Sequence, residues 1–276
     1  MRTSNKGRKM VKLAVIGRDV SKSASPPIHL FLAREMGKEI EYDKISVPEG
    51  RFDERIEGLL SEYDGLNVTI PYKLDVMKKL KKIEDDAFAF GAVNTVDCAT
   101  RTGYNTDGVG FMLMLKAHGV EVRGKSVLVL GAGGAGRSCV KKLLDSGAQV
   151  EVYNRTYEKA LALQNEFHGA KAVKNVQAKP YYAIVNATGV GMHESVGVSP
   201  VPKAIIEGCE AAIDLIYEPQ KSEFLRIAER AGKKIVNGLS MLFYQAYYAD
   251  CIFFKLKPNE EEATALYNKF LKEKII

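Results

Sequence analysis

Hydrophobic and polar positions alternate between two rhythms along this chain. Residues 11–17 (VKLAVIG) form a nearly unbroken apolar run that predicts a buried strand. Ser25-Pro26-Pro27 then opens a predicted helix to about residue 36, with Ser25 as N-cap and proline in the first turn. Residues 40–47 predict a second strand. Residues 51–62 predict a helix with Phe52, Ile56, Leu59 and Leu60 on one face. A short β-prone run at 66–70 is stopped by Pro71, and a helix is expected over 72–80. Residues 93–97 and the stretch around Tyr104 predict a hairpin with Thr102-Gly103 near its turn.

From Asp107 the rhythm changes. A helix over 109–118 ends at Gly119, and an apolar strand follows at 126–130 (SVLVL). Further unalternating apolar strands are expected at 150–153, 183–186, 212–215 and 235–236, with helices between most of them. Such strands are buried on both faces, which points to a parallel sheet covered by helices. Residues 240–256 form an aromatic-rich helix, and Pro258-Asn259 starts a last one with Glu260, Glu261 and Glu262 in its first turn. The expected fold class is α/β with two domains. Residues 10–106 plus 238–276 would form an N-terminal α/β substrate domain, and 107–237 a Rossmann-type nucleotide-binding domain.

Composition narrows the function classes. Forty Lys and Arg against 34 Asp and Glu give a net charge of +6, but the basic residues are scattered. That distribution suits solubility and steering of anionic ligands rather than nucleic acid. The run Lys79, Lys81, Lys82 reads as a solvated helix face. Cys98, Cys139, Cys209 and Cys251 are far apart and form no CxxC pair, so reduced thiols in the cytoplasm are expected, with no bound metal. His29, His118, His168 and His193 are equally dispersed, and a structural or surface role is expected for each. No apolar run is long enough to span a membrane. The basic, polar first ten residues lack the apolar stretch of a secretory signal and read as a tail before the first strand.

The sharpest local signal is Gly131-Ala132-Gly133-Gly134-Ala135-Gly136, a GxGxxG pattern that directly follows an apolar strand and opens a helix. Gly131 would make the tight turn, Gly133 would admit a pyrophosphate, and Gly136 would let helix and strand pack closely. The helix N-terminus supplies N–H groups and a favourable dipole for the anion. The second strand of such a unit ends in Asp or Glu when it binds the NAD ribose. Here Asn154-Arg155-Thr156 stands at that point, and Glu151 lies inside the strand, too early for the role. Arg155 can bind a 2′-phosphate, so NADP is the expected cofactor.

Reduction of a ketone by NADPH needs a proton donor near the carbonyl oxygen and groups that orient the substrate. Asn67-Val68-Thr69-Ile70-Pro71-Tyr72-Lys73 offers polar groups and a lysine just past a strand end. Asn94-Thr95 adds an amide, and Asn105-Thr106-Asp107 an amide, a hydroxyl and a carboxylate. Each alone is an ordinary turn or cap; together they suit a polyhydroxylated carboxylic acid.

At these residues the chain resembles the shikimate dehydrogenase family over nearly its whole length. The resemblance is carried by Ser23-Ala24-Ser25-Pro26, by Asn67 to Lys73, by Gly91-Ala92-Val93-Asn94-Thr95 and by Gly103-Tyr104-Asn105-Thr106-Asp107-Gly108. It continues through the glycine turn, Asn154-Arg155-Thr156, Asn186-Ala187-Thr188, Asp214-Leu215-Ile216-Tyr217, Gly238-Leu239-Ser240-Met241-Leu242 and Gln245. It implies NADPH-dependent reduction of 3-dehydroshikimate to shikimate, a step towards chorismate and the aromatic amino acids, by a monomer or homodimer. It assigns Lys73 and Asp107 as the catalytic pair, and Ser23, Ser25 and Tyr217 to the substrate carboxylate. Asn67, Thr69, Asn94, Asp107 and Gln245 would hold the ring hydroxyls. Gly238 and Met241 would lie near the nicotinamide, with Thr188 and Leu215 also on the cofactor. A lysine ammonium holds its proton at neutral pH, so Lys73 could transfer a proton or chiefly polarise the oxygen.

The chain departs from the family pattern at four positions: Lys22 where His is usual, Leu30 where Asn is usual, Ser222 for Thr, and Ser240 for Gly. The last bears on the geometry at the nicotinamide. Two other readings stay open: an NAD-dependent quinate/shikimate dehydrogenase, and a non-catalytic ligand-sensing homologue. The second fits poorly with the presence of both Lys73 and Asp107.

Overall fold

The computed structural model describes residues 10–276; the expected N-terminal tail lies almost wholly outside them. The chain divides into two compact units, residues 1–106 with 243–276, and residues 107–242. The second division falls at 242/243, inside a helix, five residues beyond the expected 237/238.

The first unit opens with β1 (Val11–Gly17), α1 (Ser25–Glu35), β2 (Ile40–Ser46), α2 (Phe52–Glu62) and β3 (Gly65–Val68). It continues with β4 (Lys82–Ile83), α3 (Asp85–Phe90), β5 (Thr95–Asp97) and β6 (Thr102–Tyr104). Its six-stranded sheet runs β2-β1-β3-β5-β6-β4. β1 is parallel to both β2 and β3, whereas β5 is antiparallel to β3 and β6. Phe52, Ile56, Leu59 and Leu60 are the buried stripe of α2, as their spacing predicts, and pack on Ile16, Leu66 and Val96.

Two local expectations fail here and a third holds. Ser25 is not the cap of α1: Ala24 holds that position, Ser25 is the first helical residue, and the Ser23 hydroxyl accepts its N–H at 3.2 Å. Residues 72–80 form no α-helix, only turns and a 3₁₀ segment at Val76–Lys79. The Lys73 carbonyl accepts the Val93 N–H at 2.8 Å, so it is committed to a distant segment and not to an i+4 ladder. The hairpin is present as expected: its turn lies at residues 98–101, where Arg101 takes φ 53°, and Thr102-Gly103 follow directly as the start of the returning strand. Gly103 is required there by packing, since a Cβ would meet Leu80 and Val93 side-chain carbons at 2.5 and 2.8 Å.

The second unit contains α4 (Asp107–Ala117), β7 (Ser126–Leu130), α5 (Gly134–Asp145), β8 (Gln149–Tyr153), α6 (Tyr157–Glu166) and β9 (Ala170–Val173). Then come β10 (Tyr181–Asn186), α7 (Lys203–Ile206), β11 (Cys209–Asp214), α8 (Glu223–Arg230) and β12 (Lys234–Val236). Its strands run β12-β11-β10-β7-β8-β9, all parallel. Side chains alternate across a strand, and both faces of β7 are buried. Val127 and Val129 join one core cluster with Val140 and Leu143 of α5, while Leu128 and Leu130 join another with Phe224 and Leu225 of α8. This is the doubly covered sheet that the unalternating apolar runs predict. The strand order reverses direction at β7, which places the turn after β7 at the topological switch point.

Two helices close the chain: α9 (Leu239–Phe254) and α10 (Glu260–Glu273). The Asn259 side chain caps α10, accepting from the Glu261 and Glu262 N–H groups at 2.8 and 3.1 Å. Among the described residues no helix is long and apolar enough to cross a membrane.

Candidate active site and its two polar clusters

In the second unit the glycine turn leaves the C-terminal end of β7. Gly131 has φ +107°, a conformation that disfavours any side chain. A Cβ on Gly136 would meet the Gly131 carbonyl oxygen at 2.3 Å, so the first turn of α5 rests directly on the loop backbone. Gly133 is the N-cap of α5, and a Cβ there would meet nothing within 4 Å. That open space lies beside the first N–H groups of a helix, which have no partner within it. The residues therefore fit a dinucleotide pyrophosphate.

Asn154 fixes the shape of this turn. Its Oδ1 accepts the Ala132 N–H at 3.1 Å and its Nδ2 donates to the Thr156 carbonyl at 2.8 Å. Arg155 and Thr156 stand exposed at the tip of β8. Glu151 is held by Lys171, Lys179 and Tyr181, so it has a structural role within the sheet. Lys179, then Tyr181 and Lys171, keep its carboxyl below the ordinary glutamate range against the opposing effect of burial.

A second cluster lies at the ends of β10 and β11. Asn186 Oδ1 accepts both the N–H and the hydroxyl of Thr188, at 3.1 and 2.6 Å. Its Nδ2 donates to Asp214 at 3.0 Å. Asp214 also accepts the Ile216 N–H and the Ser222 hydroxyl. Burial raises the Asp214 carboxyl to about 6, and the three donors only partly oppose that rise. Ser222 caps α8, so its hydroxyl serves where threonine is usual. Leu215 and Gly238 touch: a Cβ on Gly238 would lie 2.0 Å from the Leu215 carbonyl oxygen. Met241 packs into the core of this unit, and Ser240, fully buried, turns its hydroxyl to His118 Nε2 at 3.3 Å. Burial, then Lys234, lowers the His118 pKa. Tyr217 is half-buried, and Asp107, the first residue of α4, is buried.

In the first unit the sequence-derived polar residues converge. Asn94 Oδ1 accepts the Thr106 N–H at 2.8 Å, and its Nδ2 donates to Thr106 Oγ1 at 3.0 Å and to Gln245 Oε1 at 3.3 Å. Asn105 turns away and donates to the Ala92 carbonyl at 2.8 Å, which makes it a turn clamp. Asn67, buried at the end of β3, accepts from the Tyr42 hydroxyl at 2.7 Å and reaches Thr95 Oγ1 at 3.4 Å. Ser23, Thr69 and Lys73 are half-buried, and Ser25 is buried. Lys22 is exposed and Leu30 is 49% exposed, so neither departure disturbs the packing of α1. Sequence reasoning missed Tyr42, and it gave His29 no partner. His29 Nδ1 lies 2.6 Å from Asp250 Oδ1, and both residues are fully buried.

The comparisons with known proteins agree with this geometry. The family model described as "Shikimate dehydrogenase substrate binding domain" matches residues 15–96, and "Shikimate / quinate 5-dehydrogenase" matches residues 113–189. A protein of Thermus thermophilus named shikimate dehydrogenase (NADP(+)) is 38% identical over 252 residues, 91% of this chain and 95% of its own length. This chain belongs to the shikimate dehydrogenase family. The crystal structure of shikimate dehydrogenase 1 from Peptoclostridium difficile superposes with a TM-score of 0.88 at 33% identity, covering 97% of this chain and all of that one. The shikimate 5-dehydrogenase of Thermus thermophilus, solved in complex with NADP(H) and shikimate, superposes with a TM-score of 0.84 at 37% identity, covering 94% of this chain and 99% of that one. The two-unit α/β architecture of this chain is thus that of a shikimate dehydrogenase.

Proposed function

We infer that the protein is an NADP-dependent shikimate dehydrogenase that reversibly reduces 3-dehydroshikimate to shikimate. The observation that carries this reading is the joint presence of a dinucleotide turn backed by Asn154-Arg155 and a buried amide and hydroxyl cluster built on Asn67, Asn94, Thr106 and Gln245. A carboxylated, polyhydroxylated ring offers a matching set of donors and acceptors, and a site built to hydrogen-bond such groups rejects analogues that lack them.

When bound, NADPH supplies the hydride that adds to the ketone carbon. Lys73 holds its ammonium on the ketone oxygen, stabilises the charge that develops there and delivers the proton that completes the alcohol. Asp107 orients Lys73 and accepts from a ring hydroxyl. Ser23, Ser25 and Tyr217 hydrogen-bond the substrate carboxylate. Asn67, Thr69, Asn94 and Gln245 hold the hydroxyls. On the cofactor side, residues 131–136 bind the pyrophosphate, Asn154, Arg155 and Thr156 the adenosine end, and Thr188, Leu215, Gly238 and Met241 the nicotinamide end. Arg155 supports NADP over NAD, because its planar fork matches a phosphate.

The protein works in the cytoplasm as a monomer or homodimer. Four free, buried cysteines fit a reducing compartment, and sedimentation velocity distinguishes the two assemblies. The functional test is spectrophotometric. NADPH oxidation is followed with 3-dehydroshikimate, then with NADH and with 3-dehydroquinate as substitutes. NADPH with dehydroshikimate should be the fastest combination. A faster reaction of NADH with dehydroquinate overturns the assignment in favour of a quinate enzyme, and no turnover with any pair favours a sensing role.

A further inference from the structure

We propose that Tyr42 is a positioning residue of the substrate site, holding Asn67 in the orientation that receives the acid. The inference rests on the shikimate reading of that site.

Tyr42 lies on β2 and Asn67 on β3, with β1 between them. Leu13 of β1 pairs with Tyr42 on one side, and Val15 pairs with Asn67 on the other. The tyrosine side chain therefore spans the width of a strand, and its hydroxyl donates to Asn67 Oδ1 at 2.7 Å.

The bond to Asn67 decides which end of its amide is left for a ligand. With Oδ1 taken by Tyr42, Nδ2 has one long contact, to Thr95 Oγ1 at 3.4 Å. Asn67 therefore presents a donor, which selects an oxygen acceptor on the substrate. Without the tyrosine hydroxyl both amide orientations become accessible, and that selection is lost.

Tyr42 is itself held from beneath. Its ring stacks on His29 with centroids 4.5 Å apart and planes 17° from parallel. His29 lies four residues after Ser25, on the same face of α1, and is pinned by Asp250 of α9 at 2.6 Å. Burial, and the Asp250 carboxylate behind it, push the Tyr42 phenol well above its ordinary range, so it keeps the proton that it donates.

The test is Tyr42→Phe, which preserves the ring and its stack on His29. Shikimate binding by calorimetry should weaken about twofold to tenfold, the effect of one net hydrogen bond. KM for shikimate should rise in step, while KM for NADP stays near the wild-type value. The double variant with Asn67→Ala should lose less than the product of the two single effects, because Tyr42 acts through Asn67. Unchanged shikimate affinity in Tyr42→Phe, equal losses for both ligands, or strictly multiplicative effects overturn the proposal. A wild-type chain that binds shikimate without turning it over overturns the catalytic reading and leaves this comparison decisive. A wild type that binds no shikimate overturns both.

Discussion

Gly133 and Gly136 sit three residues apart in one turn and should fail in opposite ways when each is changed to alanine. At Gly136 the new Cβ would stand 2.3 Å from the Gly131 carbonyl oxygen and 2.9 Å from its carbon, both below the 3.0 Å that real Cβ atoms respect. Both obstacles are backbone atoms of a turn already held at φ +107°, so no side chain can swing aside. The helix must back away from β7, opening the interface of Cys139, Val140 and Leu143 with the sheet. Overpacking of this kind costs about 1–3 kcal/mol, which lowers the melting temperature of a chain this size by roughly 2–5 °C. At Gly133 the Cβ meets nothing, and φ −80°, ψ −175° suits alanine. Loss of a favourable N-cap residue and reduced freedom of the unfolded chain nearly cancel, each about 1 kcal/mol or less. The methyl would instead occupy the space over the helix N-terminus, and NADPH affinity should fall at least ~10-fold, about 1.4 kcal/mol. Thermal melts by circular dichroism and NADPH fluorescence titrations read the two effects separately. Wild-type NADPH affinity in Gly133→Ala would refute the pyrophosphate placement, and a wild-type melt for Gly136→Ala would refute the packing argument.

Arg155→Ala should weaken NADPH roughly ten- to a hundredfold, from ~1.5–3 kcal/mol per charged hydrogen bond, with NADH barely changed; equal losses in the two titrations contradict the 2′-phosphate assignment. Lys73→Ala should lower turnover by a factor on the order of a hundred or more while NADPH still binds; retained activity moves the acid–base role elsewhere. Asp214 sets a pH dependence of stability. Its carboxyl titrates near 6 when folded, against 3.8 as the ordinary value, so the folded state binds the extra proton. That contribution is complete below about pH 4 and is lost as pH rises through 6, about 3 kcal/mol in all. Urea melts of Asp214→Asn should therefore gain on the wild type by that order between pH 4 and pH 7; parallel curves would show that the carboxyl titrates normally.

The parallel sheet was legible because burial on both faces writes itself as unbroken apolar runs. β1 and β7 begin and end where those runs do. β9 escaped notice because it is a short edge strand, AKAV, with three of its four residues exposed or partly exposed. The helix expected over 72–80 has the right periodicity, but it competes with a hydrogen bond from Val93, twenty residues away. Gly103 reads as a turn residue by composition, and its real constraint is the approach of Leu80 and Val93. Local propensity is overruled in both cases by contacts that no local window contains.

The same division explains the site. Asn94 and Thr106 were legible as candidates, because a buried amide beside a strand end is costly unless it is partnered or used. Tyr42 was not, because its importance depends on the strand order β2-β1-β3, which sets it diagonally across from Asn67. His29 and Asp250 are 221 residues apart and meet only when α9 packs on α1. Each carries one polar atom without a partner, His29 Nε2 and Asp250 Oδ2, so the pair gives up some of its possible hydrogen bonding to remain buried. A dispersed histidine reads as neutral in sequence. Its neighbour decides: removing one partner of a buried hydrogen bond leaves the other unsatisfied at a cost of about 1–3 kcal/mol, and this bond holds the ring on which Tyr42 stacks. The fold places that support one layer below the residues that the motifs name.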